Sequence, residues 1–154
     1  QRQMCIRDRP NISHFIAPDG LICVVRIGLK AEDFVKLEAS GLPYPASFLC
    51  RALIDTGSDI TSVSSSVIQR LGLIEPWHST STHTASGPTE VDLFQISLSI
   101  LDEREPTLPL TIPTLLVMRL FALPANIDVL IGLDVIRTCR LVVDGPANAF
   151  SLDW

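Results

Sequence analysis

The chain reads as a mostly β, closed-barrel-like domain with one or two short helices. Apolar and polar residues alternate in short runs, as at Cys23, Val25, Ile27 and Leu29 and again at Phe94, Ile96, Leu98 and Ile100. A period of two marks a half-buried strand. Turn residues punctuate these runs at 41–45, 85–88 and 144–146. Helical spacing is confined to brief stretches. Many short strands between turns point to barrel-like closure.

The 154 residues suit one domain with a real core. Hydrophobic residues make up 47% and charged ones 19%, a globular balance. The net charge of −5 argues against a nucleic-acid partner, whose binding surface would be basic. Arg119 interrupts the longest apolar run, 115–123, so no membrane span is expected. Cys5, Cys23, Cys50 and Cys139 form no CxxC pair and read as reduced thiols of a cytoplasmic protein. Residues 1–9 are polar, basic and aperiodic. They resemble read-through of a sequencing adapter, so a non-native leader is expected there and a single domain over 10–154.

Residues 21–29 form the first alternating strand. Residues 30–40 are charged and fit either a short helix or an extension of that strand. Residues 41–45, with Pro43 and Pro45, form a turn or loop. An apolar strand over 48–54 follows. Ser64, Ser65 and Ser66 then precede Val67, Ile68 and Leu71, with Gly72 behind them. A serine cap, helical spacing and a terminal glycine predict a short helix. Residues 77–86 are a Ser/Thr-rich approach to a hairpin tip at 85–88, and the clear strand 94–100 lies beyond it. A charged turn covers 102–106. Leu108, Leu110 and Ile112 alternate, and Pro109 and Pro113 mark an edge strand. Residues 115–118 form another short strand and 120–126 a loop. An apolar strand, 127–131, ends at Gly132, with a helical turn over 133–136. Strands at 140–143 and 149–154 flank the turn 144–146.

The chemistry concentrates in Ile54-Asp55-Thr56-Gly57-Ser58-Asp59. An apolar strand delivers the Asp55 carboxylate to a tight turn. Such a charge is costly there unless it is stabilised or shared. Gly57 lets the chain turn sharply and another group approach. Thr56 and Ser58 carry hydroxyls able to donate to a carboxylate or a neighbouring main chain. Turn chemistry alone would also use Asp and Gly. Leu130-Ile131-Gly132 repeats the pattern of an apolar strand stopped by glycine.

Asp55-Thr56-Gly57-Ser58, the hairpin tip at Ala85, Ser86, Gly87 and Pro88, and Leu130-Ile131-Gly132 occur in the order found in retropepsins. The chain resembles that family of aspartic proteases, of the cellular and bacterial single-domain type, over 21–154. The resemblance implies a retropepsin (acid protease) fold and an aspartic endopeptidase acting on peptides or proteins, with Asp55 catalytic. It implies that Thr56 bonds across a dimer and that Gly57 admits the substrate backbone. Asp59 would bind substrate main chain. Ala85, Ser86 and Gly87 would form a flap, and Leu130, Ile131 and Gly132 would pack under the active-site loop. Larger members carry two such loops; this chain has one, because Asp144-Gly145 runs into Pro146 and reads as a turn. One carboxylate cannot be acid and base together, so a C2 homodimer must supply the second. The resemblance places the strand 150–154 at that interface, pairing across the axis. No metal or organic cofactor is required.

Competing readings are weaker. His78 and His83 lack a third close ligand for zinc, and a solvated loop accounts for them. The serines carry no Gly-x-Ser-x-Gly elbow. Trp77 and Trp154 suit core or interface positions. Asp128 and Asp134, beside the glycine motif, read as structural, Asp134 through a local hydrogen bond. The alternative function is a catalytically silent peptide-binding or dimerisation module of the same fold.

Overall fold

Strand alternation builds the barrel. The computed structural model describes residues 10–84, 87–101 and 109–154. In β2 (Ile22–Leu29), Cys23, Val25, Ile27 and Leu29 are buried. In β3 (Phe48–Ile54), Phe48, Cys50, Ala52 and Ile54 are buried. In β6 (Gly87–Ile100), Ile96, Leu98 and Ile100 are fully buried. With β4 (Ser62–Ser64), β7 (Leu110–Leu120) and β8 (Val129–Ile131), they close a six-stranded barrel in the order β2-β3-β8-β4-β7-β6 and back to β2. One apolar core fills it. β5 (His78–Thr84) hangs on the outer edge of β6. A second sheet joins β1 (Asn11–Phe15), β10 (Ala149–Asp153) and β9 (Arg140–Asp144), in that order.

Among the described residues three helices are present where one or two were expected. The ambiguous charged stretch is α1 (Ala31–Ala39), which carries no buried residue and so left no strong periodic signal. α2 (Ser65–Arg70) follows its sequence signature. Ser64 caps it by accepting from the Val67 amide, and Gly72 adopts the left-handed conformation just past its end. α3 (Leu133–Ile136) is the short turn after Gly132.

Several expectations are corrected. Residues 78–84 are a strand, not a loop, paired residue by residue with 87–93. His78 to Ser81 are exposed, so no apolar period announces this strand. The two strands expected over 108–118 are one from Leu110 onward, β7; Leu108 lies outside the described residues. Pro113 and Thr114 together face Ser97, a bulge between the pairs Ile96–Leu115 and Leu98–Ile112. A bulge tolerates a proline that a regular ladder would not. β1 and β4 were not foreseen; β1 buries only Ile12, and β4 has three residues. The C-terminal strand has both sides occupied within its own chain, by β1 and β9, so it has no edge with which to pair across an axis. Residues 1–9, Ala85, Ser86 and the charged turn 102–106 lie outside the described residues.

β6 is longer than the barrel needs. Its pairing with β7 begins at Leu93 and with β2 at Ile96. From Gly87 to Asp92 its named strand partner is β5 alone, so the β5–β6 hairpin overhangs the barrel.

Candidate active site

Asp55 stands where two parallel strands end. Ile54 pairs with Ile131, and the Asp55 amide donates to the Ile131 carbonyl at 2.9 Å. β3 and β8 thus deliver Asp55 and Gly132 to the same level. The chain then turns back, with the Ser58 amide donating to the Asp55 carbonyl at 3.3 Å. Inside this turn the Asp55 carboxylate accepts two hydrogen bonds. The Gly57 amide donates to Oδ1 at 2.9 Å and the Ser58 hydroxyl to Oδ2 at 2.8 Å. Each oxygen keeps further acceptor capacity. The carboxylate is half-buried and held by its own turn, which the spacing Asp-Thr-Gly-Ser already encodes.

The Gly132 segment clamps this turn from beneath. A Cβ on Gly132 would lie 2.6 Å from the Ile60 carbonyl carbon and 2.8 Å from the Thr61 nitrogen. Only a glycine permits that approach. The Leu133 amide donates to the Ser58 carbonyl at 2.8 Å and the Asp134 amide to the Asp59 carbonyl at 3.1 Å. Thr61, fully buried, donates through its hydroxyl to Asp134 Oδ1 at 2.7 Å, and its amide reaches the same carboxylate. The Thr61 hydroxyl also accepts from the Gly132 amide at 3.0 Å. Asp134 is therefore structural, but over 73 residues as well as through its local bond from the Val135 amide. Sequence reading missed Thr61 altogether. It stands six residues past Asp55 among other hydroxyls, in Ile60-Thr61-Ser62-Val63-Ser64, and nothing local sets it apart. Asp128 braces β3 through the Arg51 amide at 3.2 Å.

A cleft of about 360 Å³ opens between this loop and the overhanging hairpin. Gly57, Ser58, Asp59 and Ile60 form its floor, and Thr80, Ser81 and Thr82 of β5 one wall. Val91 and Leu93 of β6, with Met118 of β7, supply apolar surface. None of those three was singled out in the sequence, because strand apolar residues read as core. Asp59 is exposed on the loop and lines the cleft; Thr56 is exposed at the turn. Gly87 has φ +106 at the start of β6, a backbone that side chains resist. Ala85 and Ser86 lie outside the described residues. Leu130 and Ile131 sit on β8, paired with Leu53 and Ile54.

Other nucleophiles are poorly placed. Burial pushes the Cys23 thiol up to about 12. Cys50 is raised to about 12 by burial, with Asp128 adding to the rise and Arg70 opposing it. Burial also raises Cys139, against a lowering hydrogen bond from Thr138. A protonated, buried thiol is inert. Asp144 turns its carboxylate to the Ala147 amide at 3.0 Å, as a turn residue does.

The fold and this loop define a retropepsin-like aspartic protease domain. The chain belongs to the aspartyl protease family, whose model matches residues 38–135. A retropepsin-like aspartic protease from Rickettsia conorii has a similar structure, with a TM-score of 0.56 at 13% identity over 94% of this chain and 91% of that one. The retroviral protease-like domain of Ddi1 from Leishmania major aligns with a TM-score of 0.46 at 15% identity, over 85% and 87%. No curated protein matches the sequence. Among the described residues, no helix is long and apolar enough to cross a membrane.

Proposed function

We propose that the chain is one half of a homodimeric aspartic endopeptidase whose dyad is two copies of Asp55. The observation that carries this is the Asp55 carboxylate, hydrogen-bonded by Gly57 and Ser58, which themselves form part of the floor of a cleft beneath a hairpin. Two such carboxylates facing each other across a two-fold axis cannot both ionise, and they share one proton. Aspartic proteases are the standard example of that sharing. The ionised carboxylate takes a proton from water, whose oxygen attacks the peptide carbonyl carbon. The protonated partner gives its proton to the carbonyl oxygen. The resulting tetrahedral centre collapses with cleavage of the C–N bond and protonation of the leaving amine. Thr56 braces the opposite loop, Asp59 binds substrate main chain, and Leu130, Ile131 and Gly132 support the turn from below. The test is incubation of the folded protein with a random peptide library over a range of pH. Internal cleavage is expected. A folded dimer that cleaves nothing at any pH would leave a peptide-binding or dimerisation module instead.

The hairpin end at Ala85, Ser86 and Gly87 serves as the flap that closes over substrate and excludes water. Amides at 80–82, 87 and 89–91 should exchange quickly in the free protein and slow when a peptide-like inhibitor binds. Equal protection in both states would remove the flap role.

Ser58 holds the Asp55 carboxylate in place. Its hydroxyl donates to Oδ2 at 2.8 Å. Hydrogen bonds to charged groups contribute about 1.5–3 kcal/mol, less where exposed. Ser58→Ala removes that bond and frees the carboxylate to rotate, so kcat/KM should fall roughly tenfold with the fold unchanged. An unchanged kcat/KM would confine Ser58 to shaping the turn.

A further inference from the structure

Arg119 interrupts an apolar run of the sequence, and neither the barrel core nor the Asp55 turn uses it. It stands on β7 one residue past Met118, whose partner Leu93 opens the β6–β7 pairing. Asp92 is thus the first residue of β6 beyond that pairing, at the root of the overhanging hairpin. Arg119 Nη2 donates to Asp92 Oδ2, and the Ser79 hydroxyl of β5 donates to Asp92 Oδ1 at 2.7 Å. One carboxylate therefore ties β5, β6 and β7 together where the hairpin leaves the barrel. Both side chains of the ion pair are only 27% exposed, which sets it apart from the solvated surface pairs that contribute little.

The guanidinium is fixed to the barrel. Its Cζ lies 5.7 Å from the ring centroid of Phe94, a core residue, and 4.9 Å from that of Phe121. Among the described residues its Nε is buried without a hydrogen-bond partner. A buried donor left unpaired is costly, so the guanidinium sits for its reach to Asp92 and not for its own satisfaction. At the same level, β7 is bonded to the chain leaving the active-site turn. Met118 pairs with Ser62, and its amide donates to the Thr61 carbonyl at 3.0 Å. The hairpin root and the carboxylate turn thus share one support. Side chains alternate along a strand. Val91, Leu93 and Met118 line the cleft, so Asp92 and Arg119 act from the opposite face of the sheet.

We propose that Arg119 and Asp92 are positioning residues. Their ion pair, with Ser79, clamps the root of the β5–β6 hairpin and sets its height over the active-site turn. The clamp rests on the endopeptidase reading, in which this hairpin closes over substrate. Without it the root pivots and fewer molecules hold the closing geometry, so apparent affinity falls by that fraction. The chemistry of the closed complex is unaltered, because neither residue touches Asp55 or its turn.

The test combines peptide cleavage with amide exchange, both on the full chain. D92N and R119M keep side-chain size and remove the charge. Each should raise KM roughly tenfold and leave kcat within about threefold. S79A should move KM the same way by a smaller factor. R119K, which keeps the charge, should lie closer to wild type than R119M. The double variant D92N/R119M should be no worse than the worse single one, since the partners act as a unit. The Trp77 amide donates to the Leu93 carbonyl at 2.8 Å, at the hairpin root. It should exchange roughly tenfold faster in D92N and R119M, with amides 94–100 unchanged. A loss confined to kcat, or additive losses in the double variant, would overturn the clamp. Faster exchange across 94–100 as well would overturn it too, by making the pair a general stabiliser of the barrel. A wild type that cleaves nothing would overturn the endopeptidase reading, and the exchange of the Trp77 amide would then decide the clamp by itself.

Discussion

Asp55→Asn should lower kcat/KM by about 10³-fold or more, with fold and dimer intact. General acid–base catalysis contributes typically about 10²–10⁴-fold, and a single substitution removes both dyad members of a homodimer. The amide has the shape of the carboxylate, and its oxygen still accepts from the Gly57 amide. Its NH₂ faces Ser58, whose hydroxyl rotates to accept. Stability is therefore preserved while the charge that activates water is lost. Mixing sharpens the result. When equal amounts of wild type and variant exchange freely, about a quarter of the dimers carry two intact Asp55. Specific activity should fall to that fraction of the unmixed wild type's per total dimer. Activity at half would mean that each chain works alone, and full activity in the pure variant would remove Asp55 from the chemistry.

Gly132→Ala should destabilise the domain by about 3 kcal/mol or more, at the upper end of overpacking effects. The added Cβ meets the Ile60 carbonyl carbon at 2.6 Å, the Thr61 nitrogen at 2.8 Å and the Ile60 oxygen at 2.9 Å. These are backbone atoms, which cannot rotate aside. Relief requires the loop and α3 to separate, at the expense of the bonds from Gly132 to Thr61 and from Leu133 to Ser58. For a chain of this size the melting temperature should drop by roughly 6–12 °C. Gly145→Ala is the control, since a Cβ there meets nothing within 4 Å. It should stay within about 0.5 kcal/mol. Equal melting of the two variants would show that the loop does not rest on Gly132.

These two expectations differ in where their evidence lies along the chain. The Asp55 turn closes through partners two and three residues away, so its residue types and spacing carry its geometry. The barrel strands 22–29, 48–54 and 94–100 were legible for a related reason. One face of each is buried, and burial writes a period of two into the residues. Helix α2 announced itself by its cap and terminal glycine. β5 was illegible because His78 to Ser81 are exposed on both faces, leaving no apolar period, and its strand state depends on the edge of β6.

Gly132 could be singled out as a glycine after an apolar strand, but its contact with Ile60 joins positions 72 apart in number, which no local pattern encodes. Thr61 and Asp134 likewise show their purpose only when β3 and β8 lie side by side. Val91, Leu93 and Met118 look like core residues until the hairpin overhangs the loop and turns them into a cleft wall. The place of the last strand was decided in the same way. Local residue types made 149–154 a strand and the turn before it folds β9 back on one side, whereas its other neighbour, β1, is brought from the far end of the chain by long-range packing. What the sequence determined by itself is the chemistry of one carboxylate turn and the alternation of the barrel, both short-range consequences of residue type. Tertiary structure alone decided what braces that turn, what walls the cleft and which segment covers the outer edge of the last strand, because each depends on contacts between distant segments.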